Sequence, residues 1–187
     1  MSLLNILKIS LLPILAASSA CTQNIPAKNT ADQMVKTIEA TVYLTGYSWW
    51  DNTPPGSSAI ARPILHNKAD GTGTFNDPIT LAVGHSITHG KQTLDYPAGT
   101  RFYFPKIRKY AIVEDVCGDG PQPQNGPCHS GKNGVPWVDI WVGGKSSKSA
   151  SDACMYKITG MQSALINPPK NLTVHPGSLT ETGCPVF

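Results

Sequence analysis

Short runs rich in apolar, β-branched and aromatic residues recur along the chain, each bounded by Gly, Pro, Asn or Asp, and that rhythm predicts strands rather than helices. The clearest are 40–47 (ATVYLTGY), 79–83 (ITLAV), 101–104 (RFYF), 110–114 (YAIVE) and 138–142 (VDIWV). In the last of these Val138, Ile140 and Val142 share one face and read as core, while Asp139 shares the other with Trp137 and Trp141. Many short strands with turn residues between them are the pattern of a barrel or sandwich. One short helix is predicted over 149–160 (SASDACMYKITG), with Ser149 or Ser151 as its cap and Gly160 as its stop. Beyond Gly160 the Pro and Asn content predicts irregular chain. Two long segments, 51–78 and 118–136, carry Gly, Pro and Asn in place of alternation. Loops of that length in a compact domain usually build binding sites.

With 187 residues, one core is the default. The first twenty, MSLLNILKISLLPILAASSA, run from a lone Lys8 through an apolar stretch to small residues, which is the order of a secretory signal peptide. The apolar run is about half of the roughly 20 residues that span a bilayer, and Pro13 breaks it, so no permanent membrane anchor is expected from it. Residues 21–38 read as a flexible leader and 39–187 as the domain. Secretion fits the cysteines: Cys117, Cys128, Cys154 and Cys184 form an even set, and of three pairings Cys117 with Cys128 and Cys154 with Cys184 close the short local loops. Cys21 is left over, and removal with the signal, pairing with another chain and acylation as the first residue of a lipoprotein all stay open. Asn171-Leu172-Thr173 is a glycosylation acceptor if the source is a eukaryote. The net charge of +3 comes with no basic run longer than Lys106-Ile107-Arg108-Lys109, so nucleic acid is not an expected partner, and a monomer is expected.

Three segments follow one another: ITLAVGHS, then YPAGTRFYF with YAIVEDVCGDG, then WVDIWVGG. Together, over residues 80–144, they resemble the "3D" domain, the double-psi β-barrel module of membrane-bound lytic transglycosylase A-type peptidoglycan enzymes. The resemblance implies an all-β, six-stranded double-psi β-barrel with long loops and at most one or two short helices. Of the three aspartates that name that domain, the second falls on Asp115 and the third on Asp139, while the first falls on His85. The run Thr45-Gly46-Tyr47-Ser48-Trp49-Trp50-Asp51 also resembles the first barrel strand of expansins and small barrel endoglucanases. The endoglucanase likeness implies a base at Asp51 and an acid at Asp139.

Cleaving a glycosidic bond needs a carboxyl that stays protonated near neutral pH, a state that burial or a neighbouring like charge produces. Asp115 is the preferred acid on sequence grounds, because it follows the apolar run 110–113 and sits beside Glu114; Asp139 is its partner and Asp51 a further candidate. Each also has a plain reading, as an acceptor of backbone N–H groups at a strand end or turn. Asp119, between glycines, reads first as a turn residue and second as a substrate contact. Sugar rings stack on indoles, so Trp49, Trp50, Trp137 and Trp141, with Tyr47, are candidate substrate contacts, although core packing explains a Trp equally well. His85 and His89, with Asp95 or His66, suggest zinc only if 85–89 were helical, which Gly84 and Gly90 oppose. No metal or cofactor is expected, and His85 is assigned to hydrogen bonding with Asp115 or substrate. The expected partner is a cell-wall polysaccharide, whether peptidoglycan, cellulose or chitin. The expected activity is cleavage of a β-linked glycan, with expansin-like binding and loosening as the alternative.

Overall fold

Val42 and Leu44 are fully buried while their neighbours stay partly exposed, so the first alternating run does lay one face on a core. The strand they sit on, β1, extends over Ile38–Ser48 in a computed structural model that describes residues 36–187. The expected signal segment, Cys21 and the leader as far as residue 35 lie outside the described residues. The other predicted strands follow: β2 (Ile79–Val83), β5 (Arg101–Phe104), β6 (Lys109–Val116) and β7 (Trp137–Gly143), with a hairpin of β3 (His85–Thr88) and β4 (Lys91–Leu94) inserted. Val138, Ile140 and Val142 are fully buried, as the alternation in β7 requires.

The strands close into a six-stranded barrel in the order β1, β7, β2, β6, β5 and a last strand, β8 (Gly160–Ile166). The presence of β8 corrects the expectation of irregular chain past Gly160. Its sequence, GMQSALI, has modest alternation, but Gln162, Ala164 and Ile166 turn inward, and pairing with β1 and β5 supplies the hydrogen bonds that propensity does not. Two pairs are parallel, β1 with β7 and β2 with β6, and the rest are antiparallel.

Helix α2 (Lys148–Ile158) covers one flank, and Ser147 caps it by accepting from Ala150 N–H at 3.2 Å. The cap is thus earlier than expected; Ser151 is buried and spends its hydroxyl on the carbonyls of Gly144 and Ser147. The helix lies on β1 at Gly46, where an added Cβ would stand 2.8 Å from Val142 and 3.2 Å from Ile158. Only Thr159 separates α2 from β8, and Gly160, at φ 148°, makes the reversal. A second helix, α1 (Pro127–Ser130), is a single turn.

Both expected disulfides form, Cys117–Cys128 and Cys154–Cys184, the second tying α2 to the tail. Replacing Cys154 and Cys184 together by serine is expected to cost about 2–4 kcal/mol in urea denaturation, chiefly by releasing the closed loop in the unfolded chain. The tail beyond β8 is also pinned by Lys109, a fully buried residue whose Nζ donates to the carbonyls of Thr72, His175 and Gly177. Burial pushes this ammonium down to about 8. The unfolded chain therefore binds more protons between about pH 8 and 10.5, and stability should rise with pH across that window. In Lys109→Met, denaturation curves should show that slope gone and a loss of about 2–3 kcal/mol at pH 7, since three carbonyls lose their donor.

Candidate functional site

The barrel register sets four residues in one row across neighbouring strands. Thr45 on β1 faces Asp139 on β7, Asp139 faces Ala82 on β2, and Ala82 faces Asp115 on β6. Strands lie about 4.8 Å apart, so the two aspartates leave their backbones about 10 Å apart with only the methyl group of Ala82 between. Over that gap opens a cavity of about 320 Å³, lined by Asp139, Asp115, Tyr47 and Ala82 from the strands. The long segments close its sides, 51–78 through Asp51, Asn52, Thr53 and 59–61, and 118–136 through Gly118 and Asp119. Both predicted binding loops therefore meet the predicted carboxylates. No Lys or Arg is among the lining residues.

Each carboxylate has its own surroundings. Asp139 is half-buried, and its Oδ1 accepts from the Thr45 hydroxyl at 2.8 Å. Burial first, then the charges of Asp51 and Asp115, push its pKa up to about 7, against the pull of that hydrogen bond. Asp115 is buried and has both oxygens engaged: Oδ1 with the N–H groups of Ala61 (3.0 Å) and Val116 (2.9 Å), and Oδ2 with the Tyr47 hydroxyl (2.9 Å). Its pKa is also raised by burial, although these three donors favour the charged form. Tyr47, buried beside it, is raised well above the usual phenol range and stays a donor. Asp51 is exposed, and its Oδ1 accepts from the Ser48 N–H and hydroxyl, both at 2.7 Å. Asp119 accepts from the Thr53 hydroxyl at 3.1 Å and so bridges the two loops.

Other sequence candidates lie elsewhere. His85 is buried outside the cavity lining, with Nε2 on the Gly118 carbonyl (2.9 Å) and Nδ1 on the Gln92 amide (2.7 Å). A carbonyl only accepts, so Nε2 carries the proton and Nδ1 accepts. Both ring nitrogens are thus spent, Nε2 on the loop beside Asp119 and Nδ1 on β4, which replaces the expected bond to Asp115 or substrate. None of the four tryptophans lines the cavity. Trp141 is buried edge-on against Tyr47, Trp137 bonds to Thr45, and exposed Trp50 donates to the Gly144 carbonyl. Trp49 lies beneath the Lys145 ammonium. His89 sits at the β3–β4 turn, and no group of metal-binding side chains gathers among the described residues.

Sequence reading missed Glu114, which proves to be the anchor of the 51–78 segment. The β2–β6 register slips between Leu81 and Ala82, leaving Glu114 as the extra residue between Val113 and Asp115. Fully buried, Glu114 accepts from the N–H groups of Ile64, Leu65 and His66, from Thr80 and from the His66 ring. The same ring reaches Asp77 at 3.0 Å. A Glu next to an Asp at a strand end is the only trace of this arrangement in the sequence.

The model of the DDB_G0273701 N-terminal domain matches residues 39–185. Among curated proteins, the chain is similar to one of Dictyostelium discoideum named "Uncharacterized protein DDB_G0273701/DDB_G0273221", with 32% identity over 126 residues. The aligned part is 67% of this chain and 49% of that protein, so the chain spans about half the length of the curated relative it matches. No solved structure matches.

Proposed function

The chain belongs to the DDB_G0273701 N-terminal domain family, and because its barrel gathers Asp139, Asp115 and Asp51 around one cavity, we propose that it cleaves a β-linked wall polysaccharide. The observation that carries this reading is the convergence of carboxyls in a cavity with no cation, one of them kept protonated near neutral pH. Asp139 is the general acid and hands its proton to the leaving glycosidic oxygen. Asp51, exposed with Oδ2 free of hydrogen bonds among the described residues, takes a proton from the water that attacks the anomeric carbon. The role of acid thus moves from Asp115 to Asp139, since the three donors on Asp115 favour its anion. Asp115 keeps the cavity wall in shape and adds to the field that holds the proton on Asp139.

The mixed barrel with two parallel pairs supports kinship with the double-psi barrels, and the two disulfides support an oxidising, extracellular setting. In the test, the purified protein is incubated with peptidoglycan, cellulose and chitin and the soluble products are read by mass spectrometry. Products from one polymer, absent with Asp139→Asn, are expected. Binding to an insoluble glycan with no product from the wild type would leave the expansin-like reading in its place.

A further inference from the structure

The hydrogen bonds behind Asp139 run in one direction only. The Trp137 indole N–H lies 2.7 Å from Thr45 Oγ1, and Thr45 Oγ1 lies 2.8 Å from Asp139 Oδ1. An indole can donate but not accept, so Thr45 must accept from Trp137. Its single hydroxyl proton is then aimed at Oδ1, which can only accept. A proton held by Asp139 must therefore sit on Oδ2. The indole is itself held: Trp137 and Tyr43 are register partners in β7 and β1, and their rings meet edge to face at 4.7 Å. Thr45 is the next residue of β1 on the same face as Tyr43, so one strand carries both the support of the indole and the hydroxyl it orients.

We propose that Trp137 is a positioning residue, which acts through Thr45 to assign the proton of Asp139 to Oδ2, the oxygen that Thr45 leaves free. The role rests on the reading of Asp139 as the acid. It also gives a tryptophan outside the cavity lining a use that packing alone does not require. The groups that share the field of Asp139 are Asp51 on the segment after β1, Tyr47 on β1, Asp115 on β6 and Asp119 on the following loop, and none of them is the hydrogen-bond partner of the indole.

The test is a carbon-13 NMR titration of the Asp139 carboxyl, which needs no substrate. In Trp137→Phe an aromatic ring is kept and the N–H is lost, so Thr45 is free to turn and accept from the protonated acid. The neutral form gains, and the apparent pKa should rise by about 0.5. Thr45→Val, which removes the donor to the anion, should raise it by about 1, and Thr45→Ser should restore the wild-type value. Adding Trp137→Phe to Thr45→Val should change nothing more, because the indole acts only through the hydroxyl. A folded Trp137→Phe protein that titrates like the wild type overturns the proposal, as does an indole effect that persists without Thr45. If Trp137→Phe does not fold, equal titrations of Thr45→Val and Thr45→Ser overturn it as well. If the titrations move as expected while the wild type releases no product from any glycan, the relay stands and the glycan reading falls.

Discussion

Asp139→Asn is expected to lower glycan cleavage by about 10³-fold and, at the same time, to stabilise the barrel above neutral pH. The first effect is the loss of a positioned proton donor. The second follows from linkage. The carboxyl has its folded pKa at about 7, against an ordinary 3.8, so between those values the folded chain holds a proton that the unfolded chain has released. Stability therefore falls as pH rises through that window, and above pH 7 the half-buried carboxylate costs on the order of 2–4 kcal/mol. Asparagine keeps the shape and the bond from Thr45 without the charge. Denaturation at pH 4 should show the variant and the wild type nearly equal, and at pH 8 the variant should be more stable by about 2 kcal/mol. Equal stability at both pH values would contradict an acid held neutral by its surroundings. With Asp139 as the proposed acid, the cleavage rate should decline as pH rises through about 7, when the carboxyl loses its proton.

Glu114→Ala is expected to cost about 3–5 kcal/mol, a large share of the roughly 5–15 kcal/mol that holds a domain together. The substitution removes a fully buried carboxylate and leaves the N–H groups of Ile64, Leu65 and His66, the buried Thr80 hydroxyl and the His66 ring without their acceptor. The segment 51–78 should loosen first, with proteolysis in the stretch around 60–66, and Asp115 then loses the Ala61 N–H that the same segment brings to it. Hydrogen exchange at Leu65 and His66 should also follow pH. Burial opposes the charge on Glu114, but the hydrogen bonds from His66 and the backbone outweigh it and hold the pKa below 4.5. That stabilisation is in place above 4.5 and is lost as pH falls through the lower folded value. On His66, burial is likewise outweighed by the bonds to Asp77 and Glu114, which lift its pKa above 6.5. Its share is complete below 6.5 and is lost as pH rises through the raised value. Protection should thus be greatest between these limits and decline on both sides; a flat profile would show that the pair does not hold the loop.

Strands β1, β2, β5, β6 and β7 were legible to within a few residues. In β1 and the first part of β7 a buried face repeats every second position, while β2, β5 and β6 are short apolar runs buried almost throughout, and turn residues bound them all. Both disulfides could be named because short loops close most readily, and the clustering of aspartates at strand ends could be named because polar residues there interrupt apolar runs. The assignment of chemistry could not. Asp115 and Asp139 look alike along the chain; what separates them is that Asp115 meets three donors and Asp139 one, and those donors arrive from residues as far off as Tyr47, Ala61 and Thr45.

Position 85 shows the same limit. Its histidine falls where the first of the three family aspartates was expected, and only the approach of Gly118 and Gln92 turns the expected partner of Asp115 or substrate into a support for the loop. Strand β8 depends on β1 and β5 for its existence, Glu114 depends on a register slip, and the indole of Trp137 finds Thr45 across 92 residues of sequence. The sequence by itself determined the barrel class, its core faces, the cysteine pairs and the set of carboxylates from which a site could be made. The tertiary structure alone decided which of them are tied to several donors and which to one, because burial, strand register and hydrogen-bond direction are set by partners far away in the chain.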